Sequence, residues 1–79
     1  MIELYYTQSC PYCVKVRSFL EKEGTPYVSK ELPKFREELR ALGGKTQVPF
    51  LNDPERGVKM YESDDIIAYV REHYSSRSR

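Results

Sequence analysis

The feature that most constrains the fold is a buried strand that leads, through a short polar loop, directly into a helix. Residues 2–6 are rich in Ile, Leu and Tyr and are followed by three polar residues, a pattern typical of a buried strand. Pro11 suits the first position of a helix, because the N–H that proline lacks has no intrahelical partner there. Apolar residues then recur at helical spacing until Gly24: Cys13, Val16, Phe19 and Leu20.

The rest of the chain continues the alternation of strands and helices. The pattern predicts a strand over residues 27–31 and a helix that begins at Pro33 and closes at Gly43-Gly44. It then predicts a strand over 48–51, and the turn-forming residues 52–57 predict a hairpin into a strand over 58–61.

The last predicted helix begins at a polar cluster. Ser63 is a favourable N-cap, and Asp64 and Asp65 in the first turn suit the positive end of the helix dipole. The apolar stripe of this helix consists of Ile66, Ile67, Val70 and Tyr74.

This order, βαβαββα, defines an α/β architecture. Two strands joined by a helix are expected to be parallel, through a right-handed crossover. The closing hairpin must be antiparallel, so we predict a four-stranded mixed sheet with helices on both faces. We expect one domain over residues 1–74, followed by a solvated, flexible tail over 75–79.

Composition excludes several classes of function. The 13 Lys and Arg residues and the 12 Asp and Glu residues give a formal charge of +1. Binding to nucleic acid would need a strong excess of basic residues on one face, so this charge balance does not predict it. The apolar runs fall far short of the roughly 20 residues that span a bilayer, and the N-terminus does not resemble a secretory signal. We therefore expect a cytoplasmic protein, and in the cytoplasm thiols stay reduced unless they are catalytic or sensing.

The two cysteines of the chain, Cys10 and Cys13, form one C-x-x-C motif. A structural zinc site needs four ligands, and the sequence does not supply the other two at a suitable spacing. A disulfide across so short a loop would constrain the unfolded chain little. An interpretation of both cysteines as buried and inert agrees with the position of Cys13. It does not agree with that of Cys10, which lies between a polar loop and a proline.

A redox pair explains both positions. Cys10 at a helix N-terminus would face free N–H groups and the positive end of the dipole, which favour the thiolate, and Lys15 lies one turn further on. Cys13 lies one turn deeper and would act second. Cys10 would attack a disulfide, and Cys13 would then resolve the mixed disulfide.

Three motifs together resemble the glutaredoxin family over essentially the whole chain. They are Cys10-Pro11-Tyr12-Cys13 after a strand, Val48-Pro49, and Ser63-Asp64-Asp65 at the start of the last helix. The resemblance implies a thioredoxin fold and glutathione as the reductant.

The resemblance also implies roles for individual residues. Pro49 would be cis and would hold the Val48 backbone against the cysteinyl part of the bound thiol. The N–H groups of Ser63 and Asp64 would accept the γ-glutamyl carboxylate, and the side chain of Asp64, or else Asp65, would bind the ammonium group. Simple N-capping explains Ser63 and Asp64 equally well from sequence alone.

The chain departs from the family pattern at two places. Thr7 occupies a position where glutaredoxins often have a lysine, and Tyr61-Glu62 replaces a frequent Gly-Gly pair. Glu62-Ser63 instead resembles the glutathione-recognition motif in the N-terminal domain of glutathione transferases. With no lysine at Thr7, Lys45 or Gln47 is the expected partner of the glycyl carboxylate.

The sequence therefore predicts a glutathione-dependent thiol–disulfide oxidoreductase. Its substrates would be protein disulfides and glutathionylated proteins, with no tightly bound cofactor, no metal and a monomeric state. The predicted catalytic residues are Cys10 and Cys13, and the predicted glutathione site consists of Tyr12, Gln47, Val48, Pro49, Ser63 and Asp64. Three alternatives remain: a redoxin served by a flavoprotein thioredoxin reductase, a cysteine-bridged metal or iron–sulfur carrier dimer, and a glutathione-transferase-like binding domain.

Overall fold

The computed structural model describes residues 1–74, so the predicted flexible tail over 75–79 lies outside the described residues. Seven elements follow one another in the predicted order. The strands are β1 (Ile2–Tyr6), β2 (Tyr27–Glu31), β3 (Phe50–Asp53) and β4 (Val58–Met60). The helices are α1 (Pro11–Glu23), α2 (Arg36–Gly43) and α3 (Ser63–His73).

The strands form one mixed sheet in the order β2-β1-β3-β4. β1 and β2 are parallel, with Leu4 opposite Ser29. β3 runs antiparallel to both β1 and β4. The predicted α/β class and four-stranded mixed sheet are thus confirmed.

Alternating side chains of the central strands build two separate cores. Leu4 and Leu51 face α1 and α3, and the neighbouring residues Tyr5 and Phe50 face α2. Because successive strand residues point to opposite faces, helices cover the sheet on both sides. The larger core includes Ile2, Leu4, Tyr6, Cys13, Val16, Leu20, Leu51, Ile66 and Val70. No helix within residues 1–74 combines the length and the apolar character that crossing a bilayer requires.

Two predicted elements are displaced in the structure, and β4 ends at Met60 rather than at residue 61. α2 begins at Arg36 rather than Pro33, because residues 32–35 form a turn that is closed by a hydrogen bond from the Arg36 N–H to the Pro33 carbonyl (3.1 Å). β3 is displaced along the chain relative to the predicted 48–51, because its register with β1 pairs Phe50 with Tyr5 and Asn52 with Glu3.

The N-cap of α3 is Glu62, so the prediction of Ser63 at this position was wrong. The Glu62 backbone is extended, and its carbonyl accepts the Ile66 N–H at 2.8 Å, which starts the helix one residue earlier. The Glu62 side chain forms no capping hydrogen bond. Ser63 is the first helical residue and is buried.

The turn prediction over 52–57 was wrong for Asn52 and Asp53, which belong to β3. Asp53 is fully buried. Its Oδ2 accepts hydrogen bonds from the hydroxyls of Tyr69 (2.5 Å) and Tyr74 (2.6 Å), and Arg56 Nε lies 3.6 Å away. Burial raises the pKa of this carboxyl, but the two phenol donors and nearby backbone N–H groups outweigh burial, so the pKa is lowered overall. The carboxylate thus fastens the end of α3 to the sheet.

Candidate active site

Cys10 lies at the junction between the loop after β1 and the start of α1. It is the N-cap residue, with an extended backbone, and its carbonyl accepts the Val14 N–H at 3.0 Å. The Cys10 side chain forms no capping hydrogen bond and is partly exposed, although it packs against the larger core. A free thiol is therefore presented at the positive end of a helix of 13 residues.

Cys13 lies one turn into α1 and is fully buried. Burial raises the pKa of its thiol to about 12, hydrogen bonds from Thr7 oppose this rise, and contact with Cys10 adds to it. Cys10 is therefore close enough to Cys13 to affect its ionisation, and the two environments differ, because Cys10 is partly exposed and Cys13 is buried.

This difference predicts selective alkylation. At pH 8, iodoacetamide should modify Cys10 in the native protein and leave Cys13 unmodified, because Cys13 is both buried and protonated. Peptide mass spectrometry measures the modification of each cysteine. Protein unfolded in urea is the control and should be modified at both positions. Equal rates at the two cysteines of the folded protein would contradict the assignment.

A cavity of about 370 Å³ opens beside the dithiol motif. The residues that line this Tyr12 cavity are Tyr12, Gln47, Val48, Pro49, Tyr61, Glu62 and Ser63. It contains five of the six predicted glutathione-site residues, from three separate parts of the chain. The Val48–Pro49 peptide bond is cis, as the resemblance implies.

The N-terminus of α3 lies at the Tyr12 cavity, because Glu62 and Ser63 both line it. The first N–H groups of a helix have no intrahelical acceptor, and Glu62 does not cap them with its side chain. These donors and the helix dipole make this wall of the cavity suitable for an anion.

Asp64 is the predicted site residue that the structure does not place on the Tyr12 cavity. Its Oδ1 lies 2.5 Å from Lys15 Nζ, and its side chain is 82% exposed. Lys15 was expected to assist Cys10, but it forms this ion pair between α1 and α3 instead. The packing of those two helices, which decides the pair, is not visible in the sequence.

Tyr61 and Glu62 line the cavity although neither was among the predicted glutathione-site residues; the resemblance to glutathione transferases included only Glu62. The Tyr61 ring packs against the Phe50 ring in a tilted arrangement, with 4.7 Å between centroids, and its hydroxyl donates to the Lys45 carbonyl at 3.1 Å. Lys45 Nζ lies 4.8 Å from the centroid of the same ring. Tyr61 and Glu62 directly precede the predicted site residue Ser63, and this position in the sequence could have indicated that they line the same site.

Gly43 allows Tyr61 to take this position. A Cβ at residue 43 would lie 2.0 Å from the Tyr61 hydroxyl oxygen and 2.9 Å from Cζ. We therefore expect Gly43→Ala to displace Tyr61 and to lower the free energy of unfolding by about 1–3 kcal/mol, as measured by urea denaturation. Tyr61→Phe removes the hydroxyl oxygen, which is the atom nearest to the added Cβ. In that background, Gly43→Ala should lower the free energy of unfolding by less. The same cost in both backgrounds would contradict the steric explanation.

A second cavity, of about 400 Å³, lies across Val48 from the first. The residues that line this arginine cavity are Thr7, Leu32, Pro33, Arg36, Arg40, Thr46 and Val48. Thr7, the position of the expected lysine, therefore borders a space that is also lined by two arginines. Arg36 and Arg40 were not predicted as site residues, although their spacing of four residues within a helix was visible in the sequence.

The structure brings no cluster of three or more metal-ligating side chains together within residues 1–74. A metal held by Cys10 and Cys13 would therefore require ligands from outside this part of the chain.

Comparisons with known proteins agree on the type of domain. A family model described as the N-terminal domain of glutathione S-transferase matches residues 4–78. An uncharacterized glutaredoxin-like 8.6 kDa protein of the rubredoxin operon of Clostridium pasteurianum is 34% identical over 55 residues, which is 66% of this chain and 73% of that protein. Glutaredoxin 1 of Rickettsia typhi is 36% identical over 53 residues, which is 61% of this chain and 51% of that protein.

Solved structures have the same fold. Glutathione transferase Omega 3C from Trametes versicolor aligns with a TM-score of 0.82 and 26% identity over 95% of this chain, which spans 32% of that chain. Glutaredoxin 2 from Salmonella typhimurium, in complex with glutathione, aligns with a TM-score of 0.75 and 28% identity over 89% of this chain and 32% of that chain. This protein, with its mixed sheet and its dithiol at a helix start, belongs to the glutaredoxin family and has the thioredoxin fold that this family shares with the N-terminal domain of glutathione transferases.

Proposed function

We propose that this protein is a glutathione-dependent thiol–disulfide oxidoreductase that reduces protein disulfides and glutathione mixed disulfides. The observation that carries the proposal is the accessible thiol of Cys10 at the N-terminus of α1, in contact with the buried thiol of Cys13. The membership of the chain in the glutaredoxin family supports it.

The first step is an exchange at Cys10. Its thiolate attacks one sulfur of the substrate disulfide, a new S–S bond forms to Cys10, and the other sulfur leaves as a thiolate that takes up a proton. With a glutathionylated protein, attack on the glutathione sulfur leaves glutathione on Cys10. A second glutathione thiolate then attacks this mixed disulfide, which releases oxidised glutathione and restores Cys10.

With a protein disulfide, Cys13 performs the second step. The thiolate of Cys13 attacks the Cys10 sulfur, the substrate leaves as a dithiol, and a Cys10–Cys13 disulfide forms that two glutathione molecules reduce. Contact with Cys10 is one cause of the raised pKa of Cys13. This cause disappears when Cys10 is in a mixed disulfide, while Thr7 still lowers the pKa, so Cys13 ionises more readily at the step that needs its thiolate.

Glutathione would bind in the Tyr12 cavity. The N–H groups of Ser63 and Asp64 at the start of α3 would hold the γ-glutamyl carboxylate, and the Val48 backbone would contact the cysteinyl part beside Pro49. Asp64 would accept the ammonium group and share its carboxylate with Lys15.

Two further residues would complete the glutathione site. Tyr12, which is 63% exposed, would form the outer wall. Gln47 lines the cavity and Lys45 lies over the adjacent Tyr61 ring, so these two remain the proposed partners of the glycyl carboxylate. One chain holds both thiols, so a monomer suffices, and the reaction needs a compartment with reduced glutathione, such as the cytoplasm.

A comparison of two electron sources tests the proposal. Reduction of a glutathionylated peptide should be rapid with NADPH, glutathione reductase and glutathione, and slow with NADPH and a flavoprotein thioredoxin reductase. The loss of NADPH absorbance measures both rates. Turnover with the flavoprotein alone would instead assign the protein to the redoxins served by that reductase. Absence of turnover with both would overturn the proposed function.

A further inference from the structure

The arginine cavity adjoins a third cavity at the turn that precedes α2. This Phe35 cavity, of about 410 Å³, is lined by Tyr6, Ser29, Glu31, Leu32, Pro33, Lys34 and Phe35. It shares Leu32 and Pro33 with the arginine cavity, so the two cavities form one groove along the turn that precedes α2. Each half of this groove is at least as large as the Tyr12 cavity.

Two residues of the arginine cavity, Thr7 and Val48, connect the groove with the region of the dithiol. Val48 lines both the arginine cavity and the Tyr12 cavity. Thr7 lies close enough to the Cys13 thiol to oppose the rise in its pKa that burial causes. The groove and the Tyr12 cavity therefore meet at Val48.

Two arginines of the groove lack partners within the described residues 1–74. Arg36 and Arg40 are four residues apart on α2, and neither guanidinium takes part in an ion pair, a hydrogen bond or a ring contact there. Like charges at this spacing destabilise a helix slightly. Several other cations have partners, for example Lys30 with Glu38 and Lys15 with Asp64.

The remaining lining adds to the positive charge and provides an apolar floor. Lys34 is a third cation in the groove, and Glu31 is the one acidic residue among its lining residues. Leu32, Pro33 and Phe35 provide apolar contact area. A basic groove with such a floor suits an extended peptide that carries carboxylates.

We propose that this groove binds the acidic segment next to the glutathionylated cysteine of a protein substrate, with Arg36 and Arg40 as the carboxylate-binding residues. The inference rests on the proposed function, because it names the substrate class of the same dithiol. Glutathione occupies the Tyr12 cavity while the leaving protein thiol and its acidic neighbours lie in the groove. The groove thereby selects among protein substrates.

The test compares two short synthetic peptides, each with one glutathionylated cysteine. One has Asp and Glu on both sides of the cysteine, and the other has Asn and Gln at the same positions. The wild-type protein should reduce the acidic peptide with a kcat/KM about fivefold higher than that of the neutral peptide, and salt should diminish this preference. In the Arg36→Gln/Arg40→Gln variant the preference should disappear.

A matched control carries Lys22→Gln and Lys59→Gln, two exposed lysines outside the groove. It undergoes the same change in net charge and should keep the preference for the acidic peptide. No preference in the wild type, or a preference that persists in the arginine variant, would overturn the proposal. An equal fall in kcat/KM for both peptides in the arginine variant, together with a raised KM for glutathione, would also overturn the proposal. The arginines would then hold the carboxylate of glutathione.

A binding measurement separates this proposal from the proposed function. Fluorescence anisotropy with the same peptides, carrying serine in place of cysteine, requires no catalysis. Tighter binding of the acidic peptide to the wild type, lost with Arg36→Gln/Arg40→Gln, would support the groove even if neither peptide were reduced. Equal binding of the two peptides would refute it even if both were reduced.

Discussion

Replacing Cys10 with serine is expected to lower the rate of glutathione mixed-disulfide reduction by about three orders of magnitude or more, because a hydroxyl is a poor nucleophile at neutral pH and forms no disulfide. Cys10 is the partly exposed cysteine of the pair, whereas Cys13 is fully buried. The rate of glutathione release from a glutathionylated peptide, followed in the coupled assay, measures the effect. Circular dichroism should show an unchanged fold.

Cys13→Ser is the matched control, since it also replaces one sulfur by one oxygen. It should keep the removal of glutathione from mixed disulfides, which needs only the thiol of Cys10, and lose most of the activity toward protein disulfides, which needs a resolving thiol. An equal loss of both activities in the two variants would show that the assigned roles are wrong.

Asp53→Ala is expected to lower the free energy of unfolding by about 2–5 kcal/mol, because it removes the acceptor of two partly buried phenols. For a chain of 79 residues the total stability is of order 5–10 kcal/mol, so this single change removes a large part of it. Urea denaturation followed by far-ultraviolet circular dichroism measures the loss.

A double-mutant cycle tests whether the loss arises at the phenols. Tyr69→Phe and Tyr74→Phe each remove one donor to Asp53 Oδ2 and keep the ring. Each tyrosine substitution should lower the free energy of unfolding by less than Asp53→Ala does. In the Asp53→Ala background the same substitutions should have almost no effect on it. Additive costs would mean that the tyrosines and Asp53 act independently, contrary to the observed hydrogen bonds.

The same carboxylate predicts a dependence of stability on pH. The pKa of Asp53 is lowered in the folded protein, so its stabilising contribution is present above the unfolded pKa of about 3.9 and is lost as the pH falls through the folded pKa. The unfolded chain binds the proton first, and unfolding becomes easier in acid. Asp53→Asn cannot titrate at this position and should lose less stability than the wild type between about pH 5 and pH 2. Identical pH profiles would contradict this account.

Local sequence determined which elements form and in what order. Pro11 and Gly24 delimit α1, as predicted, because proline favours a helix start and glycine accepts the left-handed conformation that ends the helix, with φ at 71° for Gly24. The alternation of Leu4 and Tyr5 already placed side chains on two faces of β1. The spacing of Cys10 and Cys13 placed one thiol at the helix start and the other one turn deeper.

Contacts between distant segments decided the rest. Asp53 looked like a turn residue, yet it is buried because Tyr69 and Tyr74 reach it from α3, 16 and 21 residues away. Asp64 pairs with Lys15 across 49 residues for the same reason. The groove likewise depends on how the start of α2 packs beside Thr7 and Val48. Residue type and spacing act over a few neighbouring residues and therefore determine elements and motifs, whereas the environment of each charge is set only when those elements pack together.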